Sequence, residues 1–468
     1  MTDTPPDLEI SRAWLVDPSI GREGPGEVVV RGGVLEAVTW LEGDEAKEIE
    51  ANGVVVAPGF IDLHAHLREP GNEDAETVAT GLAAAAHGGF TTVCAMPNTE
   101  PALDEPGVLA RIRAAAVTSG SPVELLAHGA VTVGRGGEQL AALGELADAG
   151  VVGFSEDGFP TRSGPILRAA LAYAGAFGLP IVEHAEDQAL TVGAEANDGY
   201  VATVLGLRGW PTAAESGAVA RAIALLEDVV PDVRGARLHL THVSTAASLA
   251  LVRGAKARGL PVTCDVTPHH LALHDGWVAG TRQWAWDAID DTGQARDPWL
   301  GGERVAAPFA TALRVNPPLR CAEDAVACLA AVADGTADAV ATDHAPHREV
   351  DKAVEFGHAA NGISGLETAL GVLLAAVEAG RLPLIRAIAA VTTGPASVIA
   401  GRSRRRSAGL VEGETADLVV FDRTETWLVT ADALASRGKN TPLLGTSLRG
   451  RVLVTVANGR IAYEAPTD

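Results

Sequence analysis

His64 and His66 stand two residues apart in GFIDLHAHLREPG (59–71), at the end of an apolar run, and Arg68 follows two further on. On a strand, residues i and i+2 point to the same side. Two imidazoles so placed can share one metal at about 2.0–2.1 Å. Other candidate donors close later strand-like runs: Asp157 in FSEDG, His184 in IVEHAED, His242 in LHLTHVS and Asp343 in ATDHAPH. Four imidazoles and two carboxylates, with no thiolate, fit zinc, with manganese, cobalt or iron as substitutes. Six ligands exceed what one tetrahedral catalytic zinc takes, so two metals sharing a carboxylate are expected. Water on such a metal deprotonates near neutral pH, which suits hydrolysis of amides, esters or phosphoesters.

Taken singly, each residue has a plainer explanation. His184 or His242 alone reads as a hydrogen-bonded core or loop histidine, and His239 is a decoy three residues before His242. Asp157 alone could anchor a turn, with Glu156 beside it as a rival ligand, and Asp343 could cap a helix. The joint recurrence at the ends of strand-like runs favours the metal reading.

The elements that must position these residues follow a rhythm. Eight apolar runs end near residues 64, 97, 131, 157, 186, 244, 270 and 347. Between most of them lie Ala/Leu-rich stretches with 3- and 4-residue apolar spacing, several closed by Gly. Buried strands alternating with helices predict a parallel α/β fold, and eight units over roughly 300 residues favour a closed (β/α)8 TIM-type barrel. Active sites of such barrels lie at the C-terminal ends of the strands, where these donors fall. No G-x-G-x-x-G follows the first strand, which argues against a dinucleotide fold.

Both ends of the chain read as short β pieces with too little apolar surface for separate cores. The predicted division is therefore 1–56 and 401–468 as two parts of one β-sandwich, flanking a barrel over 57–400. Within the barrel, His274–Leu313 breaks the rhythm and holds four of the eight tryptophans. An irregular segment this long is functional or mobile. It is expected at the C-terminal face as a partly ordered lid or contact element.

Composition narrows the function classes. A net charge of −24 over 468 residues disfavours nucleic acid and anionic membrane as partners. Apolar runs stop short of the ~20 residues of a membrane span, and the start, MTDTPPDLEI, does not look like a signal peptide, so the cytoplasm is the expected compartment. The basic run at Gly401–Ser407 reads as a solvated loop. Four cysteines without a C-x-x-C pair read as reduced thiols; Cys94 and Cys264 sit in strand-like runs as small core residues.

Together GFIDLHAHLREPG, FTTVCAMPNTEP, FSEDG, THVSTAAS, VTPHHL, NPPLR, ATDHAPH and GKNTPLLG resemble the class I bacterial dihydroorotases of the amidohydrolase superfamily. The resemblance spans roughly residues 50–465. It implies reversible cyclisation of N-carbamoyl-L-aspartate to L-dihydroorotate in pyrimidine (UMP) biosynthesis, through a metal-bound hydroxide, with probably two Zn2+ per chain. It implies that His64 and His66 bind one metal and His184 and His242 the other. Asp157, which precedes the glycine of the family's D-D-G, would bridge them in place of a carboxylated lysine. Asp343 would be both metal ligand and proton shuttle. Arg68 would hold the substrate α-carboxylate, with His66, Asn98, Asn316, His347, Asn361 and Gly362 as further substrate contacts. His269 and His270 are left structural. A homo-oligomer is expected, and aspartate carbamoyltransferase is a candidate partner. Three features depart from the pattern: Asn361–Gly362 replaces the usual P-F-G, Glu156 stands where aspartate is common, and the 274–313 segment is long.

Two other readings compete. Hydantoinase- or allantoinase-like cyclic amidases generally use a carboxylated lysine, yet Lys47 is the only lysine before Gly254. Noncatalytic scaffolds for aspartate carbamoyltransferase lose metal ligands, and this chain keeps all six.

Overall fold

Eighteen strands are present in the computed structural model, which describes residues 6–42, 49, 53–299, 305–399, 401–404 and 407–466. Four come first: β1 Leu8–Asp17, β2 Arg22–Arg31, β3 Val34–Trp40 and β4 Val54–Pro58. The barrel follows with β5 Phe60–Ala65, β6 Phe90–Ala95, β7 Glu124–Ala127, β8 Gly129–Ala130, β9 Phe154–Ser155 and β10 Pro180–His184. After a two-stranded outlier, β11 Ala196–Asn197 with β12 Gly209–Trp210, it continues through β13 Arg237–Thr241, β14 Val262–Val266 and β15 Ala339–Val340. The last three are β16 Leu418–Leu428, β17 Ser447–Ala457 and β18 Arg460–Glu464.

The barrel strands pair in parallel as β5-β6-β7 and β8-β9-β10-β13-β14-β15. β7 and β8 are one strand interrupted at His128, and a parallel bridge from Ala65 to His344 joins the ends of the ring. All eight strand-like runs in the sequence thus supply a barrel strand. Helices such as Val78–His87, Gly164–Gly175 and Ala246–Ala257 return the chain between strands. Each starts where a Thr77, Ser163 or Thr245 hydroxyl accepts from a first-turn N–H, satisfying donors that the helix itself leaves unpaired.

The two ends of the chain meet in one seven-stranded sheet, ordered β18-β17-β16-β4-β1-β2-β3. Leu15, Val28, Val30, Val56, Leu418 and Val456 close a cluster of their own there, while Val16, Val55, Val419 and Phe421 join the main core. Alternation along each strand divides its residues between the two. The passage from this sheet to the barrel is at Gly59, whose added Cβ would fall 2.3 Å from Thr91 Cγ2.

The 274–313 segment is irregular but packed. Trp277 is buried, Trp284 stacks on Trp286 with ring centroids 5.5 Å apart, and Phe309 N–H donates to Val278 O. Positions 300–304 of this segment, positions 405–406 of the basic run and the first five residues lie outside the described residues. All four cysteines are free thiols. Among the described residues, no helix is long and apolar enough to cross a membrane.

Candidate metal centre

The strand ends converge on a cavity of about 200 Å3. Every ligand and substrate contact expected from the sequence lines it except His64, which lies fully buried behind the wall. At its centre is Asp157. Its Oδ2 is 3.2 Å from His64 Nε2 and 3.4 Å from His66 Nε2, while its Oδ1 is 3.3 Å from His242 Nε2 and 3.4 Å from His184 Nδ1. One carboxylate therefore faces two imidazole pairs, one with each oxygen. Asp343 Oδ1 closes the first pair, at 3.1 Å from His66 Nε2 and 3.4 Å from His64 Nε2.

Outer partners fix which nitrogen each ring turns inward. His64 Nδ1 donates to Thr241 Oγ1 at 2.8 Å, and Thr241 donates on to Asp265 at 3.1 Å. His66 Nδ1 donates to Asn98 Oδ1 at 2.9 Å, and His184 Nε2 to Glu186 Oε2 at 3.0 Å. An imidazole with one N–H so engaged presents the bare lone pair of its other nitrogen, as a metal ligand requires. Inward nitrogens meet in pairs, His64 with His66 at 3.2 Å and His184 with His242 at 2.9 Å. Two nitrogens on one tetrahedral ion stand roughly 3.3 Å apart by the usual bond lengths. The donors form two candidate metal-holding groups that share Asp157: His64 and His66 with it, and His184 and His242 with it. Nitrogen and oxygen donors without sulfur suit a divalent cation of the zinc type.

The electrostatics point the same way. Burial works against protons on His64 and His184, yet Asp157, with Asp343 for one and Glu186 for the other, raises them to about 9 and about 10. Burial also opposes charge on Asp157 and Asp343, but the surrounding imidazoles hold both carboxyls well below their usual range. Positive charge is thus strongly favoured between these groups.

Local backbone supports the arrangement. Arg68, His242 and Asp343 have φ of +61°, +40° and +46°, left-handed values uncommon for residues other than glycine. Asp265 Oδ1 accepts from His242 N–H at 2.6 Å, and Asp62 accepts from Thr342 N–H and Oγ1 at 2.8 and 2.6 Å, each bracing a ligand turn.

On the open side, Arg68 donates from Nε to Pro346 O at 3.1 Å and faces the metal-side carboxylates; burial lowers it only to about 10, so it stays cationic. His347, held near 3 by burial and by Arg68, is neutral and lies 2.7 Å from Asn361 O. Asn316 donates to Glu186 Oε2 at 3.1 Å and leaves its buried Oδ1 without a partner. An added Cβ at Gly362 (φ +145°) would fall 2.6 Å from Ala345 Cβ, so the loop comes close only because this residue is glycine.

The rivals are accounted for. Glu156 turns away, accepting from Thr132 N–H and Oγ1 at 2.7 and 2.8 Å. His239 is bound to Asp265 at 2.8 Å, and His270 to Thr267 Oγ1 at 2.8 Å and Pro317 O at 3.0 Å. Glu186, which orients both His184 and Asn316, escaped the sequence reading. Its only signal is the spacing of two after His184.

A family model described as dihydro-orotase-like matches residues 53–248. The chain is 46% identical to a dihydroorotase of Anaeromyxobacter dehalogenans (strain 2CP-1) over 98% of each chain. It is 40% identical to one of Geobacter sp. (strain M21) over 98% of this chain and all of that one. Among solved structures, an L-hydantoinase from Arthrobacter aurescens shares the fold with a TM-score of 0.78 at 24% identity, covering 98% of this chain and 97% of that one.

Proposed function

The chain belongs to the dihydroorotase family, and on that premise we propose how its own residues carry the reaction. It is a cyclic amide hydrolase that interconverts N-carbamoyl-L-aspartate and L-dihydroorotate in pyrimidine biosynthesis. The observation that carries the reading is the shared carboxylate of Asp157 between two imidazole pairs.

His64 and His66 would hold one Zn2+, His184 and His242 a second, with Asp157 serving both and Asp343 completing the first. Held there, two zinc ions would supply Lewis-acid polarisation of the amide carbonyl and a lowered pKa for water. Arg68, a cation on the open side of the cavity, takes the α-carboxylate, supported by Asn98 and Asn316. Neutral His347 and the backbone of Asn361–Gly362 contact the ring amide. Asp343, an ionised carboxylate at the edge of the cavity, moves the proton. In hydrolysis it takes one from the attacking water and gives it to the ring nitrogen as the C–N bond breaks. In cyclisation it takes the proton from the carbamoyl nitrogen as that atom attacks the side-chain carboxyl, and returns it to the departing water.

The proposal extends to the cytoplasm, where four free thiols stay reduced, to a homo-oligomer, and to aspartate carbamoyltransferase as a partner. The test is a spectrophotometric assay of zinc-loaded protein with L-dihydroorotate at slightly alkaline pH, with metal counted on the same sample. Turnover with about two metals per chain is expected, and Asp343→Ala should lower kcat by about 10³-fold or more with an unchanged circular dichroism spectrum. Turnover of hydantoin but not of L-dihydroorotate would overturn the substrate, and an active Asp343→Ala enzyme would overturn the proton path.

A further inference from the structure

Residues 438–445, GKNTPLLG, connect β16 to β17 of the terminal sheet, yet their first part reaches the mouth of the barrel. Asn440 is 9% exposed, and its amide is fully engaged there. Nδ2 donates to Ala345 O at 3.0 Å and to Gly362 O at 2.9 Å. Oδ1 accepts from His347 N–H at 2.8 Å and lies 3.0 Å from Ser364 Oγ. Two donors and an acceptor with two lone pairs are all that an asparagine amide offers. They join two separate loops, 345–347 and 362–364, which carry His347 and Gly362 into the cavity.

Gly438 sharpens the fit. A Cβ there would fall 2.7 Å from His347 N and 2.7 Å from Pro346 Cβ. The loop therefore lies directly against the backbone that presents His347. Ser364 Oγ shares its single proton between Gly438 O at 2.6 Å and Asn440 Oδ1 at 3.0 Å, closing the clasp from the other loop. The ligand side is braced independently: His66 N–H donates to His344 O at 2.8 Å, and Gly365 N–H to His344 Nδ1 at 3.2 Å. Loss of the Asn440 amide would thus loosen the substrate wall, which Ala345 N–H to Ile363 O at 2.8 Å still ties across, while leaving Asp343 and the imidazoles held.

We propose that Asn440 is a positioning residue for substrate binding: its amide fixes the two loops that place His347 and the Asn361–Gly362 backbone against the dihydroorotate ring. No other side chain in GKNTPLLG bonds to both loops among the described residues; the motif's backbone is tied to one of them, by Ser364 Oγ to Gly438 O and Ser364 N–H to Asn440 O at 3.3 Å. The inference rests on the dihydroorotase reading. It concerns binding rather than proton transfer, so it predicts a split between the two kinetic constants.

The experiment compares wild type, Asn440→Ala and Ser364→Ala with L-dihydroorotate, counting metal on each sample. In Asn440→Ala, KM should rise by about tenfold or more with kcat within about threefold and metal content unchanged. Ser364→Ala removes the supporting hydroxyl alone and should raise KM by about threefold; it carries the test if Asn440→Ala does not fold. Unchanged KM in Ser364→Ala together with unchanged KM or an insoluble product for Asn440→Ala overturns the inference, as does a fall in kcat and metal content at constant KM. Absence of L-dihydroorotate turnover in wild type overturns the dihydroorotase reading itself and this inference with it. A normal wild type beside unperturbed variants sinks the Asn440 role alone.

Discussion

Two adjacent acids, Glu156 and Asp157, show how a residue's partners decide its chemistry. Glu156 spends both oxygens on Thr132, whereas Asp157 offers one oxygen to each imidazole pair. Asp157→Asn keeps the volume but replaces one oxygen with a donor group that repels a cation. Metal content should fall from about two per chain to one or fewer, and turnover by more than about a hundredfold, the upper range for outer-shell partners. Glu156→Gln should retain wild-type metal content, since its amide oxygen still accepts from Thr132 N–H. Elemental analysis of both variants, purified alike, checks the contrast; equal metal in the two would refute the bridging role. The six donors were legible in the sequence because each closes an apolar run, a pattern visible without tertiary contacts. Glu186 and Asn440 were not legible, because what they touch lies far along the chain: Asn316 is 130 residues from Glu186, and His347 is 93 from Asn440.

At the scale of elements, the barrel strands were readable as apolar runs, but their interruptions were not. β7 and β8 break at His128, which period-two alternation gives no reason to expect. There the ring Nε2 donates to Leu63 O at 3.1 Å on β5, the strand that carries His64, while Nδ1 is buried without a partner. Burial is the main cause that lowers this imidazole to about 4. The unfolded chain then binds a proton below about 6.5 that the folded barrel refuses until about 4. Stability from this group is complete above pH 6.5 and is lost as pH falls through that window, by roughly 3 kcal/mol at most. His128→Gln keeps a donor for Leu63 O without titrating. Relative to it, wild type should lose stability between pH 6.5 and 4 in urea unfolding at a series of pH values. Parallel curves for the two proteins would show that His128 opens to solvent in acid. The 274–313 segment was also only partly legible. Its lack of period correctly indicated irregular structure, but nothing local showed that Trp277, Trp284 and Trp286 pack together against the barrel.

For the whole molecule, charge and substrate are opposed. The chain carries a net charge of −24, and both substrates are anions: L-dihydroorotate has one carboxylate and N-carbamoyl-L-aspartate has two. On the proposed reading, their approach depends on a local reversal of field at Arg68 and at the two zinc ions that Asp157 and Asp343 would help to hold. The protein's long-range field therefore repels what the site attracts at contact. Salt shortens the reach of the first, with a Debye length of about 30 Å at 0.01 M and about 8 Å at 0.15 M, and hardly touches the second, which is partly buried. KM should fall as ionic strength rises over that range. The fall should be steeper for N-carbamoyl-L-aspartate, approaching twice the logarithmic slope, because the repulsion scales with ligand charge. Steady-state kinetics in both directions at matched pH, with sodium chloride varied, give the two slopes. A rising KM for both substrates would mean that the mouth of the barrel is locally positive and that the surface acidity lies elsewhere. Equal falling slopes would mean that only one substrate carboxylate feels the protein before contact.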